Sequence, residues 1–294
     1  MGDHRKLVQR YQVTDGNKFR LADADPADVG GINSKGQAER ALARGVVRLA
    51  ELQEKLYAQD RWGVLVILQA MDAAGKDGTI KHVMSGVNPQ GCEVYSFKQP
   101  SSEELDHDFL WRCARRCPER GRIGIFNRSY YEEVLVVRVH PELLQRQRMP
   151  ADLVGKRIWK QRFEDINAFE QRLSRNGTRV LKFFLHVSKG EQRRRFLERL
   201  DIPEKRWKFS AADVAERQHW DRYMSAYEQM IRHTSSREAP WTVVPADHKW
   251  FARFLVAETI IAALEDLQLA FPTVSKEREK ELGQARTALA RKDA

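Results

Sequence analysis

The chain is poor in cysteine, with Cys92, Cys113 and Cys117 its only three. So sparse and odd a set excludes a disulfide framework and fits a reducing, cytoplasmic setting. Cys113 and Cys117 could share a helix face, but no further Cys/His cluster joins them, so structural zinc is not expected. Long apolar runs are also lacking. No stretch reaches the ~18 apolar residues of a membrane span. The opening residues Met1 to Leu7 form no apolar leader, so neither a membrane nor export is expected. Internal repeats and low-complexity linkers are absent, which favours one domain over residues 1–294. Acidic groups are in deficit, 41 against 51 basic ones, and the net charge of +10 suits an anionic partner.

What is present starts with an apolar run, Val64-Leu-Val-Ile-Leu68, leading into the small-residue loop Ala70-Met-Asp-Ala-Ala-Gly-Lys76. Backbone N–H groups can close around phosphate oxygens only where side chains are small. The lysine adds charge, and the helix that follows adds the positive end of its dipole. Two positions depart from the usual phosphate loop, G-x-x-x-x-G-K-[ST]. Ala70 replaces the first glycine, and Asp77 replaces the hydroxyl residue that usually holds magnesium. Asp72 places a carboxylate inside the loop. Such a group would repel phosphate unless a divalent cation lay between them, so Asp72 is read as a ligand for Mg2+, with Mn2+ as a substitute.

Hydrophobic periodicity predicts a helix over Lys35–Gln59, strands at Gly63–Gln69 and Glu93–Phe97, and a helix over Ser102–Cys117 capped by Ser102. A strand at Arg122–Phe126, a helix over Asp152–Arg175 and a strand at Arg179–Val187 follow. The last elements expected are helices over Lys189–Leu200 and from Ser210 to Arg232, a strand at Trp241–Pro245 and a helix over Lys249–Leu269. Residues 1–35 read as irregular, and 275–294 as an exposed charged tail. Alternating strands and helices predict an α/β fold with a mostly parallel sheet covered on both faces. Ligands then bind beyond the carboxyl ends of the strands.

Two further groups of residues converge on that edge. Asn127-Arg-Ser-Tyr-Tyr-Glu-Glu133 follows a strand, and there Arg128 can grip phosphate while Glu132 and Glu133 offer oxygens to magnesium. From Lys189 to Lys208 eight basic residues face four acidic ones, in the order helix, Pro203-containing loop, helix. This suits a basic lid over about 189–235, with Arg199, Lys205, Arg206 and Lys208 as its working cations.

Together, Ala70–Lys76, Phe126-Asn-Arg-Ser-Tyr-Tyr-Glu-Glu-Val-Leu-Val-Val-Arg138 and Pro203-Glu-Lys-Arg-Trp-Lys-Phe209 resemble the polyphosphate kinase 2 family, in order and spacing, across roughly residues 10–270. The resemblance implies a P-loop-kinase-like three-layer sandwich with a helical lid. It implies magnesium-assisted phosphoryl transfer between inorganic polyphosphate and AMP, ADP or ATP, in a homo-oligomer, dimer or tetramer. On this resemblance Asp72, Lys76, Arg128 and Glu133 are the catalytic residues, with Asp72 and Glu133 on the metal. Ala73, Ala74, Gly75, Lys76, Asp77, Gly78, Thr79, Lys81, Arg199, Lys205, Arg206 and Lys208 would hold polyphosphate. Asn127, Arg128, Tyr131, Glu132 and Arg138 would hold the nucleotide. Asn127 stands where many relatives have aspartate, which resembles the subgroup that phosphorylates both AMP and ADP. An ATP-dependent small-molecule or nucleoside kinase shares the loop and the lid. A nucleic-acid-binding protein would use the basic charge with Trp207, Trp220 and Tyr223, but no nucleic-acid motif accompanies them, and nucleic acid is not an expected partner.

Overall fold

The computed structural model describes residues 2–32 and 34–290. In chain order the elements are α1 (Gly2–Tyr11), β1 (Gln12–Val13), α2 (Lys35–Gln59), β2 (Gly63–Ala70), α3 (Lys76–Val83), β3 (Cys92–Ser96), α4 (Ser102–Leu105) and α5 (Trp111–Ala114). Next come β4 (Ile123–Asn127), α6 (Val136–Val139), α7 (Glu142–Gln145), α8 (Ile158–Arg175), β5 (Thr178–His186) and α9 (Lys189–Asp201). The chain continues through α10 (Ala211–Glu216), α11 (Trp220–Thr234), β6 (Trp241–Pro245), α12 (Lys249–Asp266) and α13 (Lys276–Ala290).

The six strands form one sheet in the order β1-β6-β5-β2-β4-β3. Five run parallel, and only β1 is antiparallel, with Gln12 opposite Thr242 and Val13 opposite Trp241. Central β2 is buried along its whole length, as its unbroken Val64–Leu68 run requires of a parallel strand covered on both faces. Helices α1, α2, α3 and α12 pack together in one layer, and α6, α8 and α11 in another. No described helix is long and apolar enough to cross a membrane.

Four expectations are corrected. The first 35 residues are not irregular: α1 and β1 form because Val8 and Tyr11 bury against the body of the fold, with the Tyr11 ring edge-on to Phe251 of α12. Met1 and Asn33 of that segment lie outside the described residues. The single helix expected at 102–117 is two short ones. The break lies at Asp108, whose carboxylate accepts from the Leu110 amide at 2.9 Å and offers the backbone a turn instead. Ser101 caps α4, in a reciprocal pair with Glu104. The long helix expected from Asp152 starts only at Ile158. The basic lid is shorter than 189–235, because α11 buries Trp220, Tyr223, Tyr227 and Met230 in the core. The tail is exposed as expected but helical through α13, with 291–294 outside the described residues.

A buried charged network joins the layers behind β4. Lys182 of β5 donates to Glu170 at 2.7 Å and to the Thr234 carbonyl at 2.6 Å, while the Tyr130 and Tyr131 hydroxyls donate to Glu170 at 2.9 and 2.7 Å. Burial pushes the Lys182 ammonium down and both phenols well up, with Glu170 adding to the latter. The network fixes the segment after β4, which carries Arg128 and Glu132. Lys182→Met would strand the Glu170 carboxylate, and denaturant unfolding should show a loss of about 3–5 kcal/mol. A loss below about 1 kcal/mol would mean that the network holds little.

Candidate active site

The loop leaving β2 is bent by its own backbone. Ala73 stands at φ 62° and Gly75 at φ 110°, both left-handed. Glycine tolerates that conformation and alanine does so at a cost, a strain that ligand-gripping loops commonly hold. Gly75 precedes α3, so the first turn of α3 directs its N–H groups into the loop. Lys76 folds back, and its Nζ donates to the Ala70 carbonyl at 3.0 Å. Burial, and then the charge of Arg128, lower the Lys76 ammonium, while Asp72, Glu132 and Asp77 oppose them.

From β4, Arg128 enters at φ 65° and donates from Nη2 to Asp72 Oδ1 at 2.8 Å. Its other terminal nitrogen lies 3.7 Å from Glu132. Glu132 first, then Asp72, hold the guanidinium above its ordinary range. With its amide oriented to satisfy both ends, Gln69 donates to Glu132 at 2.9 Å and accepts from the Ser129 amide at 3.0 Å. Asn127 donates to Asp77 at 2.7 Å, and its own Oδ1 is buried without a partner. Asp72, Lys76, Asp77, Asn127, Arg128 and Glu132 therefore meet at one point, beyond the carboxyl ends of β2 and β4, as parallel sheets favour.

Four expected site residues fall elsewhere, and a fifth, Glu133, lines the cavity beside Arg128 but is buried and paired. Glu133 is 5% exposed and is held by Arg162 at 2.9 Å and Gln147 at 2.7 Å, so its carboxylate is already committed. Neighbours on a 3-10 turn diverge by a third of a turn, which sends Glu132 to the loop and Glu133 away from it. Tyr131 is wholly buried in the Lys182 network. Arg138 lies over the Phe163 ring and beside His233 rather than near the loop. Arg206 points into the lid, donating to the Leu200 carbonyl at 2.9 Å. Lys81 is exposed on α3 and lines neither cavity described next.

One cavity is lined by the loop and another by the segment after β4 that reaches it through Arg128. One, of about 200 Å³, lies between the loop and the lid, where Ala73, Gly75 and Thr79 face Arg199, Lys205 and Lys208. Lys249 and Arg253 of α12 also line it, two cations that the sequence pattern hid within an otherwise core-facing helix. The other, of about 330 Å³, lies against Arg128 and Glu132. It combines apolar Leu105, Phe109 and Val136 with Lys98, Arg112 and Arg146, three cations that lie outside the motifs.

Magnesium prefers oxygen ligands, keeps several waters and is commonly held by one or two carboxylates plus substrate phosphates. Among the described residues no group of three or more His, Cys, Asp or Glu converges as a ready metal cage. Asp72, whose carboxylate is 29% exposed beside Arg128, offers one oxygen group of the kind such a partial site uses. Glu133 fits less well, since its carboxylate is 5% exposed and holds both Arg162 and Gln147.

Arg195 was not marked out within the run Arg193–Arg195, yet it holds the loop. Its side chain is 3% exposed. Nη1 donates to the carbonyls of Ala73 at 3.0 Å and Ala74 at 2.7 Å. Nη2 donates to the Ala246 and Asp247 carbonyls, and Nε to Glu191 at 2.7 Å. Gln192 adds a bond to the Asp72 carbonyl at 2.9 Å. Carbonyls tied down this way face away from an incoming anion. In Arg195→Ala, amide hydrogen exchange over 72–78 should speed up on the order of tenfold or more, with β2 and β5 unchanged. Arg195→Lys should not restore protection, since an ammonium cannot span these acceptors as a planar fork does. Unchanged exchange over 72–78 would refute the clamp.

Comparison with known proteins identifies the family. The family model described as Polyphosphate kinase 2 matches residues 32–272. An ADP-polyphosphate phosphotransferase of Rhodopseudomonas palustris is 53% identical over 281 residues, covering 92% of this chain and 97% of the relative. An AMP/ADP-polyphosphate phosphotransferase of Meiothermus ruber is 46% identical over 274 residues, covering 93% of this chain and 98% of the relative. The crystal structure of Polyphosphate Kinase 2 from Arthrobacter aurescens superposes with a TM-score of 0.88 at 40% identity, covering 96% of each chain. On sequence and fold alike, the chain belongs to the polyphosphate kinase 2 family.

Proposed function

We propose that this chain moves a terminal phosphoryl group between inorganic polyphosphate and the phosphate end of AMP or ADP. The single observation that carries this reading is the pair of cavities joined through the loop: one is lined by the loop itself at Ala73–Gly75, the other by Arg128, which donates to Asp72 of that loop. The lid-side cavity is lined by cations from the 203–208 turn, α9 and α12, which suits a polyanionic chain. The other cavity pairs an apolar wall with Arg112, Arg128 and Arg146, which suits a base and its phosphates. The names of the relatives from Rhodopseudomonas and Meiothermus point to the same substrates.

Transfer needs no strong base, because the attacking oxygen belongs to a phosphate. That oxygen forms a new P–O bond to the terminal phosphorus as the P–O–P bond to the rest of the chain breaks, and polyphosphate leaves shorter by one unit. The protein's part is to align the two and neutralise charge. Arg128, fixed by Asp72 and Glu132, lines the larger cavity and would steady the transferring group from there. Lys76 does so from the loop. Arg199, Lys205 and Lys208, with Lys249 and Arg253, hold the chain. Asp72 would hold magnesium, which when bound neutralises phosphate charge and polarises the phosphoryl oxygens. The reverse reaction uses the same groups.

The test offers polyphosphate and magnesium with AMP and with ADP as separate acceptors. Phosphorylated product on both is expected, with rates that fall as salt screens the lid cations. Product on neither acceptor would overturn the reading, and product on one alone would restrict the acceptor.

A further inference from the structure

The cavity between loop and lid contains one carboxylate among its cations. Glu198, on α9, lines it together with Arg199, Lys205, Lys249 and Arg253, and no other acidic side chain among the described residues does so. The Lys205 ammonium donates to Glu198 Oε1. Lys249 Nζ lies 4.0 Å from the second oxygen, Oε2, and Arg194 Nη1 lies 3.8 Å from the same atom. Lys205, first, and then Lys249 and Arg194 hold the carboxyl below its usual range, although burial opposes them. The other acids of this region are spoken for elsewhere. Glu191 serves Arg194 and Arg195, and Asp213 lies 3.5 Å from Arg199.

Glu198 thus bridges a cation of the lid turn and a cation of α12, where a phosphate unit lying in the cavity would make its own contacts. An anion seated there must displace a carboxylate that the fold keeps permanently at hand, at high effective concentration. A single phosphate can offer Lys205 and Lys249 little more than Glu198 already does. A chain of linked phosphates reaches the loop, Arg199 and Lys208 as well, so it can lose the contest at one end and still bind.

Resting on the reading of this cavity as the seat of the phosphate chain, we propose that Glu198 is a specificity-determining residue. It acts as an internal counter-anion that Lys205 and Lys249 release only to a polyanion of several linked phosphates. It therefore disfavours orthophosphate and short chains as occupants of the seat.

Glu198→Gln removes the charge and keeps the shape. With ADP as acceptor, its KM for tripolyphosphate should fall about threefold or more, its KM for long chains should fall less, and both changes should shrink at high salt. Orthophosphate should inhibit the variant at lower concentration than it inhibits the wild type. Glu198→Asp, which keeps the charge, should stay near wild type. An unchanged or raised KM for tripolyphosphate in a Glu198→Gln protein of unaltered thermal stability would overturn the proposal. The double variant Lys205→Ala/Lys249→Ala separates the two levels of inference. If it binds chains as tightly as wild type, the cavity is not the seat. If its KM for chains rises while Glu198→Gln behaves as wild type, the seat stands and only the role of Glu198 falls.

Discussion

A phosphate loop can work only if its carbonyl oxygens are held away from the anion that its amides are to grip. In this chain the buried guanidinium of Arg195 does so, with its donors spread over the carbonyls of Ala73, Ala74, Ala246 and Asp247. One side chain thereby ties the loop after β2 to the lid helix α9 and to the end of β6. The rest of the site is arranged around that fixed point. Arg128 reaches across from β4 to Asp72, Asn127 donates to Asp77, and Lys76 closes onto Ala70. The left-handed backbone at Ala73 and Arg128 shows that the surrounding structure forces both segments into place, since neither residue adopts that conformation cheaply.

The charge balance has two tiers. Behind the site, Lys182, Glu170 and the two tyrosines form a closed, buried network that sets the course of the segment after β4. In the site itself the groups are only partly satisfied. Asp72 and Arg128 remain about a third exposed on the side chain, and the lid cations lean on one another's acids. Incomplete pairing leaves these groups available to a ligand, whereas Tyr131 is fully engaged and so belongs to the framework.

The sequence revealed the parts of the fold that depend on local pattern. The apolar run of β2, the small-residue loop, the periodicity of α2 and the run in β5 could be read directly, because burial on both faces leaves a continuous hydrophobic signature. Tertiary choices were hidden. Spacing could not say which arginine of Arg193–Arg195 turns inward, since packing against the loop decides it. Glu132 and Glu133 are chemically alike and adjacent, and only the 3-10 turn separates their directions. Helix α1 carries too few apolar positions to announce itself, and it gains its stability from α12. Lys249 and Arg253 were masked by the strongly apolar helix they belong to.

The most direct test of the site is the magnesium dependence of phosphoryl transfer from polyphosphate to ADP in Asp72→Asn. The substitution keeps the size of the side chain and can still accept from Arg128, so thermal unfolding should match wild type. Turnover should drop on the order of 100-fold or more at any magnesium concentration, because the carboxylate proposed to hold the metal is gone. Turnover close to wild type, with an unchanged magnesium requirement, would contradict the placement of phosphoryl transfer at this loop.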